Sequence, residues 1–215
     1  KLGVDLMTIS SHKIGGLPGC AALIFNCNSS DLLPILTGGD QEDGYRAGTE
    51  NVLAIGAFAA SLGLVENSLD NFSRISMLRD EMESRIFEVA LDSEVFGIAS
   101  DRIGNTSCIF MPNTANDLQL MAFDFHNIAI GVGSACSSGK IEPSHVLKAM
   151  GVLDCKISCS IRISLGGDVS RSDIDKIVEV WTKIYLSNQS PLSDLNSKKQ
   201  NNLSYNNQLE RIQKA

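Results

Sequence analysis

Four short segments carry residue types that could do chemistry, and the first contains a lysine in a glycine-bounded turn. Lys13 follows Ser10 and His12 and precedes the pair Gly15 and Gly16. A lysine amine at the end of a strand can form a Schiff base with a carbonyl compound. The alternative is a solvated turn lysine, since charged side chains are mostly exposed.

The second segment is a polar, glycine-rich loop over residues 38–51. Its glycines would let the backbone approach a ligand closely, and Thr49 stands just before a predicted helix. A hydroxyl together with free backbone amides at such a position suits a phosphate group. The alternative is that Thr49 caps the helix and the glycines only form turns.

The third segment places Cys136 among small residues, Ser134 and Ala135 before it and Ser137 and Ser138 after it, directly behind an apolar strand. Small neighbours can expose a thiol on a loop, and its reactivity would follow its thiolate fraction. The alternative is a small packed residue, as free cysteines often are.

The fourth segment is an apolar strand interrupted by one arginine. Arg162 stands between Ile161 and Ile163, so strand alternation predicts that it faces away from both. A guanidinium in this setting is a candidate fork for a carboxylate. The alternative is a salt bridge on an edge strand.

Alternating elements would have to position these residues. The 3.6-residue and two-residue periodicities separate helices from strands along the chain, with a hairpin or a sheet edge at the start. Strands are predicted at 2–10, 20–26, 105–111, 128–132 and 160–165, and helices at 50–66, 69–91, 116–125, 143–150 and 172–185. For the last helix, Ser170 or Ser172 is the predicted N-cap.

This alternation predicts an α/β fold. A sheet domain is expected over residues 1–68, and a smaller α/β domain with the Cys136 loop over 69–187. The composition of residues 188–215 shifts to Asn, Ser, Gln and Lys, which predicts a disordered tail. Because a domain seldom begins directly on a buried strand, we expect an N-terminal portion outside this chain.

The composition narrows the classes of function. The 215 residues are 43% hydrophobic and carry a net charge of −7, which argues against a general nucleic-acid binder. The sequence contains no uninterrupted run of 18 apolar residues, and residues 1–10 are expected to form a strand rather than a signal peptide. No membrane partner is therefore expected. The 6 cysteines are scattered without a Cys-x-x-Cys pair, which predicts reduced thiols, a cytoplasmic location and no metal site.

Taken in order, the four segments resemble the cysteine desulfurases of iron–sulfur cluster assembly and nitrogen fixation, within the class V aminotransferase family. The matching motifs are Ser-x-His-Lys-x-x-Gly, Arg-x-Gly-Thr-x-Asn, Gly-Ser-Ala-Cys-Ser-Ser-Gly and Ser-Ile-Arg-Ile-Ser-Leu-Gly, and the resemblance extends over residues 1–186. It implies fold type I of the pyridoxal-phosphate-dependent transferases, with the end of the large domain followed by the small one.

The resemblance also implies a role for each residue. Lys13 would bind pyridoxal 5′-phosphate covalently, and Ser10 and His12 would hold its phosphate. Thr49 would reach the phosphate of the neighbouring subunit in a homodimer. Cys136 would take sulfur from L-cysteine as a persulfide and pass it to an iron–sulfur scaffold or another acceptor protein. Arg162 would bind the substrate carboxylate.

The chain departs from the family pattern in three places. The turn after the lysine has an altered sequence at residues 15–19, and residues 40–43 replace a more basic stretch. The first half of the family's length is absent, and with it the histidine that stacks on the cofactor and the aspartate that pairs with its pyridine nitrogen. Two alternatives to an active desulfurase therefore remain: a non-enzymatic truncated remnant or interaction module, and a selenocysteine lyase.

Overall fold

The computed structural model describes residues 3–25, 32–133 and 143–188. The chain forms two compact units, Lys1–Asp70 and Asn71–Ala215. The assignment of the segments 1–68 and 69–187 to a large and a small domain stays a prediction. The predicted tail lies outside the described residues from residue 189 onward.

The first unit begins with the predicted hairpin. Strand β1 (Leu6–Ser10) pairs antiparallel with β2 (Ala21–Phe25), with Leu6 opposite Phe25 and Ser10 opposite Ala21. The chain leaves β1 through a 3-10 turn, Ser11–Ile14, and reverses at Gly15, whose φ of 90° lies in the left-handed region that glycine adopts without strain.

The prediction of a buried first strand from residue 2 is wrong for the residues described. Strand β1 starts at Leu6, and Leu6 itself is 51% exposed. The reason lies in the size of the sheet. Within the described part of the chain it contains two strands, so each has a neighbour on one side only.

Helix α1 (Val52–Gly63) packs against the 3-10 turn that follows β1. Its buried side chains, Ala54, Phe58 and Ser61, are spaced four and three residues apart and therefore share one face. The helix lies inside the predicted range 50–66: its cap, Asn51, sets the start at Val52, and it ends at Gly63.

The second unit is a four-stranded antiparallel sheet with helices packed on it. The strand order is β3-β4-β6-β5. The elements are α2 (Val65–Val89, which begins in the first unit), β3 (Glu94–Val95), β4 (Thr106–Phe110), α3 (Asn116–Phe125), β5 (Gly131–Val132), α4 (His145–Ala149), α5 (Asp154–Ile157), β6 (Ser160–Ser164) and α6 (Arg171–Ser187).

The core of this unit joins one face of the sheet to α2, α3 and α6. Met82, Ile86, Phe123 and Trp181 are completely buried there. Burying a side chain of this size stabilises the fold by about 1.5–3 kcal/mol. The central strand β6 is therefore held on one face by an apolar layer.

Most predicted elements of this unit are confirmed, with α3 at its predicted bounds. The strand predicted at 128–132 is shorter, Gly131–Val132, and β3 and α5 were not predicted. Elements of two to four residues are too short to show a periodicity. Helix α6 begins with a capping box in which Ser170 and Asp173 bind each other's backbone N–H, so Ser170 is the cap.

None of the helices that the structure describes is long and apolar enough to cross a membrane.

Candidate functional site

The lysine turn directs its polar side chains outward around one buried residue. His12 and Lys13 are exposed in the 3-10 turn, whereas Ser11 between Ser10 and His12 is 0% exposed. A Cβ atom at Gly16 would lie 2.2 Å from Ser11 Oγ, so only glycine allows the chain to fold back this closely. The buried Ser11 and the glycine together orient Lys13 away from the interior.

The side chains of Ser10, His12 and Lys13 make no hydrogen bond or ion pair within the described part of the chain. Three polar groups on one turn are therefore available to a ligand. The exposure of Lys13 also fits the alternative drawn from the sequence, in which this lysine is only solvated.

Thr49 does not cap α1. The N-cap is Asn51, whose Oδ1 accepts the N–H of Ala54 at 3.2 Å. Thr49 lies two residues earlier, is exposed, and makes no hydrogen bond through its hydroxyl within the residues described. The alternative prediction of a capping role for Thr49 is therefore wrong, and its hydroxyl is free for another use.

Arg162 lies on the central part of the second sheet. Strand β6 has β4 on one side and β5 on the other, so Arg162 is not on an edge strand. Ile161 and Ile163 are 1% and 2% exposed and Arg162 is exposed, which confirms the predicted alternation. Its guanidinium lies over Gly131, where a Cβ atom would stand 3.1 Å from Nη2.

A cleft of about 400 Å³ surrounds this arginine. All the residues that line it belong to the second unit, and they include Phe96, Arg102, Cys108, Ser144, Leu147 and Arg162. Sequence analysis missed Arg102 and Cys108 because only strand pairing and loop folding bring them to this position.

The two arginines of the cleft differ in their partners. Arg102 donates from Nη1 and Nη2 to the buried carboxylate of Glu83, at 2.8 and 2.9 Å, and this pairing raises the pKa of the Arg102 guanidinium. Arg162 forms no salt bridge with any residue that the structure describes. Among the described residues that line the cleft, Arg162 is therefore the cation that remains free to bind an anionic ligand.

Cys136 lies outside the described residues, in the segment 134–142. Gly133, three positions before it in the sequence, lines the cleft, as does Ser144, which follows shortly after that segment. Described residues on both sides of the segment 134–142, which contains Cys136, thus line the cleft that contains Arg162.

Comparison with known proteins identifies the family. Residues 1–177 match the model of the aminotransferase class-V family. The chain is 38% identical over 185 residues to a cysteine desulfurase of Trichormus azollae and 35% identical over 189 residues to the cysteine desulfurase IscS of Dictyoglomus turgidum. These alignments cover 84% and 86% of this chain.

Comparison with solved structures gives relatives of the same kind. A solved NifS-like protein from Rickettsia africae superposes with a TM-score of 0.74 at 37% sequence identity, over 86% of this chain. This likeness confirms the predicted α/β class and fold type I. The chain spans about half the length of these proteins, 45% of the Trichormus azollae relative and 48% of the Rickettsia africae chain. On this match of sequence and fold, the chain belongs to the aminotransferase class-V family.

Proposed function

We propose that this chain is part of a cysteine desulfurase, which removes sulfur from L-cysteine to give L-alanine and an enzyme-bound persulfide. The observation that carries the proposal is Arg162, a cation without a carboxylate partner among the described residues. Its cleft is also lined by Gly133 and Ser144, which lie in the sequence on either side of the segment that contains Cys136. The cysteine desulfurases among its relatives support the same reading.

The available polar side chains of the first unit fit pyridoxal 5′-phosphate. Ser10 and His12 offer a hydroxyl and an imidazole to a phosphate, and Thr49 offers a hydroxyl to the phosphate of a second subunit. None of these side chains is engaged elsewhere in the described structure. Lys13 offers a primary amine to the cofactor aldehyde. The bound cofactor would supply an electron sink for the bonds around the substrate Cα.

Lys13 would also have a second role, as an acid–base group. Its Nζ would take the proton from the substrate Cα and return a proton later. Exposure of the side chain on a short turn gives it the freedom that such a transfer needs.

Arg162 would bind the substrate carboxylate through its two parallel N–H donors. With the substrate held in this way, Sγ of Cys136 attacks the substrate sulfur. An S–S bond forms on Cys136, the substrate Cβ–S bond breaks, and its electron pair remains with the carbon skeleton that leaves as alanine. The thiolate form of Cys136 is the nucleophile.

The proposal extends to partners and location. The persulfide would pass to an iron–sulfur scaffold or another acceptor protein, and Thr49 would act on the phosphate of a second subunit in a homodimer. The enzyme would work in the cytoplasm, where thiols stay reduced.

A covalent labelling experiment tests the proposal. The protein is incubated with pyridoxal phosphate, reduced with borohydride and mapped by peptide mass spectrometry, with alanine formation from L-cysteine measured in parallel. We expect the label on Lys13, its loss in Lys13→Ala, and no change in the matched control Lys148→Ala. Label on a different lysine, or alanine formation by Lys13→Ala at the wild-type rate, contradicts the assignment.

A further inference from the structure

We propose that Gln41 and Arg46 are positioning residues that hold Thr49 by binding both backbone polar groups of the preceding Gly48. The N–H of Gly48 donates to Gln41 Oε1 at 3.1 Å, and Arg46 Nη1 donates to the carbonyl oxygen of Gly48 at 2.5 Å. The inference rests on the proposed contact between Thr49 and the cofactor phosphate, and it adds the residues that place the hydroxyl for it.

Gly48 is the point at which this loop needs such support. Its φ is +100°, a conformation that side-chain-bearing residues rarely adopt. Glycine also has the most conformational freedom to lose, so without restraint the position of the next residue would be poorly defined. Side chains rather than regular backbone hydrogen bonds supply that restraint here.

The side chains of Gln41 and Arg46, together called the Gly48 clamp, are themselves held in place. Arg46 donates a second hydrogen bond to the carbonyl oxygen of Ala47 at 3.2 Å, whereas its exposed ion pair with Glu42, at 3.5 Å, contributes little to its position. A Cβ atom at Gly39 would lie 2.2 Å from Gln41 Oε1, so the glycine leaves the space that the Gln41 amide occupies. The clamp therefore depends on several residues of one loop.

The backbone next to Gln41 is strained. Glu42 and Asp43 have φ values of 51° and 54°, and each non-glycine residue in this region costs on the order of 1 kcal/mol. Such strain persists only where the surrounding contacts over-determine it. It brings Gln41 back towards Gly48, seven residues later, which an unstrained helical continuation would not do.

The loop is also attached at two further points of the first unit. The ring of Tyr45 packs edge-on against Phe25 at the end of β2, with centroids 5.3 Å apart. After Thr49, the Asn51 cap ties the chain to α1. Thr49 thus stands between two anchored segments, with the Gly48 clamp directly before it.

The chemistry of the Gln41 contact gives a sharp test. Only the side-chain oxygen of Gln41 is used, as an acceptor, so Gln41→Glu keeps the contact and Gln41→Leu removes it at similar volume. Arg46→Met removes the donor to both carbonyl oxygens. Glu42→Gln is the matched control, because it removes the charge beside Arg46 and leaves both carbonyl contacts in place.

The first readout is hydrogen exchange of the Gly48 amide by NMR in the full chain, with the melting temperature recorded for every variant. We expect exchange to rise by about threefold or more in Gln41→Leu, the size of one lost hydrogen bond. Exchange should stay at the wild-type rate in Gln41→Glu and Glu42→Gln. An unchanged Gly48 amide in Gln41→Leu, with the melting temperature preserved, overturns the clamp.

The second readout is the affinity for pyridoxal phosphate by titration, which needs no turnover. We expect Gln41→Leu and Arg46→Met to weaken it by roughly three- to tenfold. In a protein that already carries Thr49→Ala, Gln41→Leu should add no further loss. Equal losses from Gln41→Leu in the wild-type and the Thr49→Ala backgrounds would overturn the coupling to Thr49. Thr49→Ala alone could leave the affinity for pyridoxal phosphate unchanged while Lys13 is still labelled. That result would contradict both the phosphate role of Thr49 and this inference, but not the proposed function.

Discussion

Arg162 on β6 lies directly opposite Cys108 on β4, and both residues line the same cleft. Burial raises the pKa of the Cys108 thiol above its ordinary value, and the positive charge of Arg162 acts in the opposite direction. Burial is the larger of the two effects, so Cys108 is a neutral thiol at physiological pH. The cleft therefore places an uncharged thiol beside Arg162, which has no salt-bridge partner in the described part of the chain.

This pairing predicts how Cys108 responds to a change at Arg162. In Arg162→Gln the stabilising charge is removed, so the pKa of Cys108 should rise further and its alkylation should start at higher pH. The pH dependence of Cys108 alkylation, followed by peptide mass spectrometry, measures this shift. Arg171→Gln is the control, because Arg171 is exposed and lies outside the cleft lining; this variant should not change the pH dependence of Cys108 alkylation. If the alkylation of Cys108 starts at lower pH in Arg162→Gln, the electrostatic account is contradicted.

Arg162→Lys tests the carboxylate site directly. Lysine keeps the charge but loses the planar two-point geometry, so we expect the KM for L-cysteine to rise about tenfold, or about 1.4 kcal/mol. Cofactor absorbance should be nearly unchanged, because the phosphate is assigned to other residues. KM and melting temperature are measured on the same holoenzyme preparation, with Arg171→Lys as the control. A normal KM with a lowered melting temperature would remove Arg162 from the active site.

Cys136→Ala separates sulfur transfer from cofactor binding. The variant should form no persulfide and deliver no sulfur to an acceptor, while pyridoxal phosphate binds as in the wild type, because Lys13 and Cys136 do different parts of the chemistry. Persulfide trapping with a thiol reagent measures the first effect and the cofactor spectrum the second. Cys155→Ala, which removes an exposed thiol, should behave as wild type. Wild-type sulfur delivery by Cys136→Ala would show that another thiol is the nucleophile.

The cap of α6 predicts a pH-dependent contribution to stability. The Ser170 hydroxyl and the Ser170 backbone N–H both donate to Asp173 Oδ2, at 2.6 and 2.8 Å, and these bonds lower the pKa of the Asp173 carboxyl. Because the folded-state pKa is depressed, the stabilisation is present above the unfolded value of about 4 and is lost as pH falls through the folded pKa.

Melting curves of the wild type and Asp173→Asn from neutral to acidic pH check this sign. The gap between their melting temperatures should be largest near neutral pH and should shrink below about pH 4, as the wild-type carboxylate becomes protonated. Ser170→Ala removes the hydroxyl donor and should reduce the same pH-dependent component. A gap that widens in acid would contradict the assignment.

Local patterns determined a large part of this structure. Two-residue alternation turned Arg162 away from Ile161 and Ile163, and helical spacing gave α3 its bounds, because both periodicities follow from the backbone geometry of consecutive residues. Ser170 was one of the two serines predicted to cap α6, because a capping side chain reaches only three residues along the chain.

Contacts between distant parts of the chain were decided by the tertiary structure. Nothing local predicts that Cys108 and Gly131 flank Arg162, because strand pairing joins residues tens of positions apart. The exposure of Leu6 on a strand with an apolar sequence likewise depends on which neighbours cover it. Asn51 rather than Thr49 caps α1, because the fold brings the Asn51 side-chain oxygen within reach of the Ala54 N–H. The sequence alone thus determined the residue types, the faces on which they lie and the family motifs. Folding decided which of those residues meet, because only the folded chain brings their atoms within bonding distance.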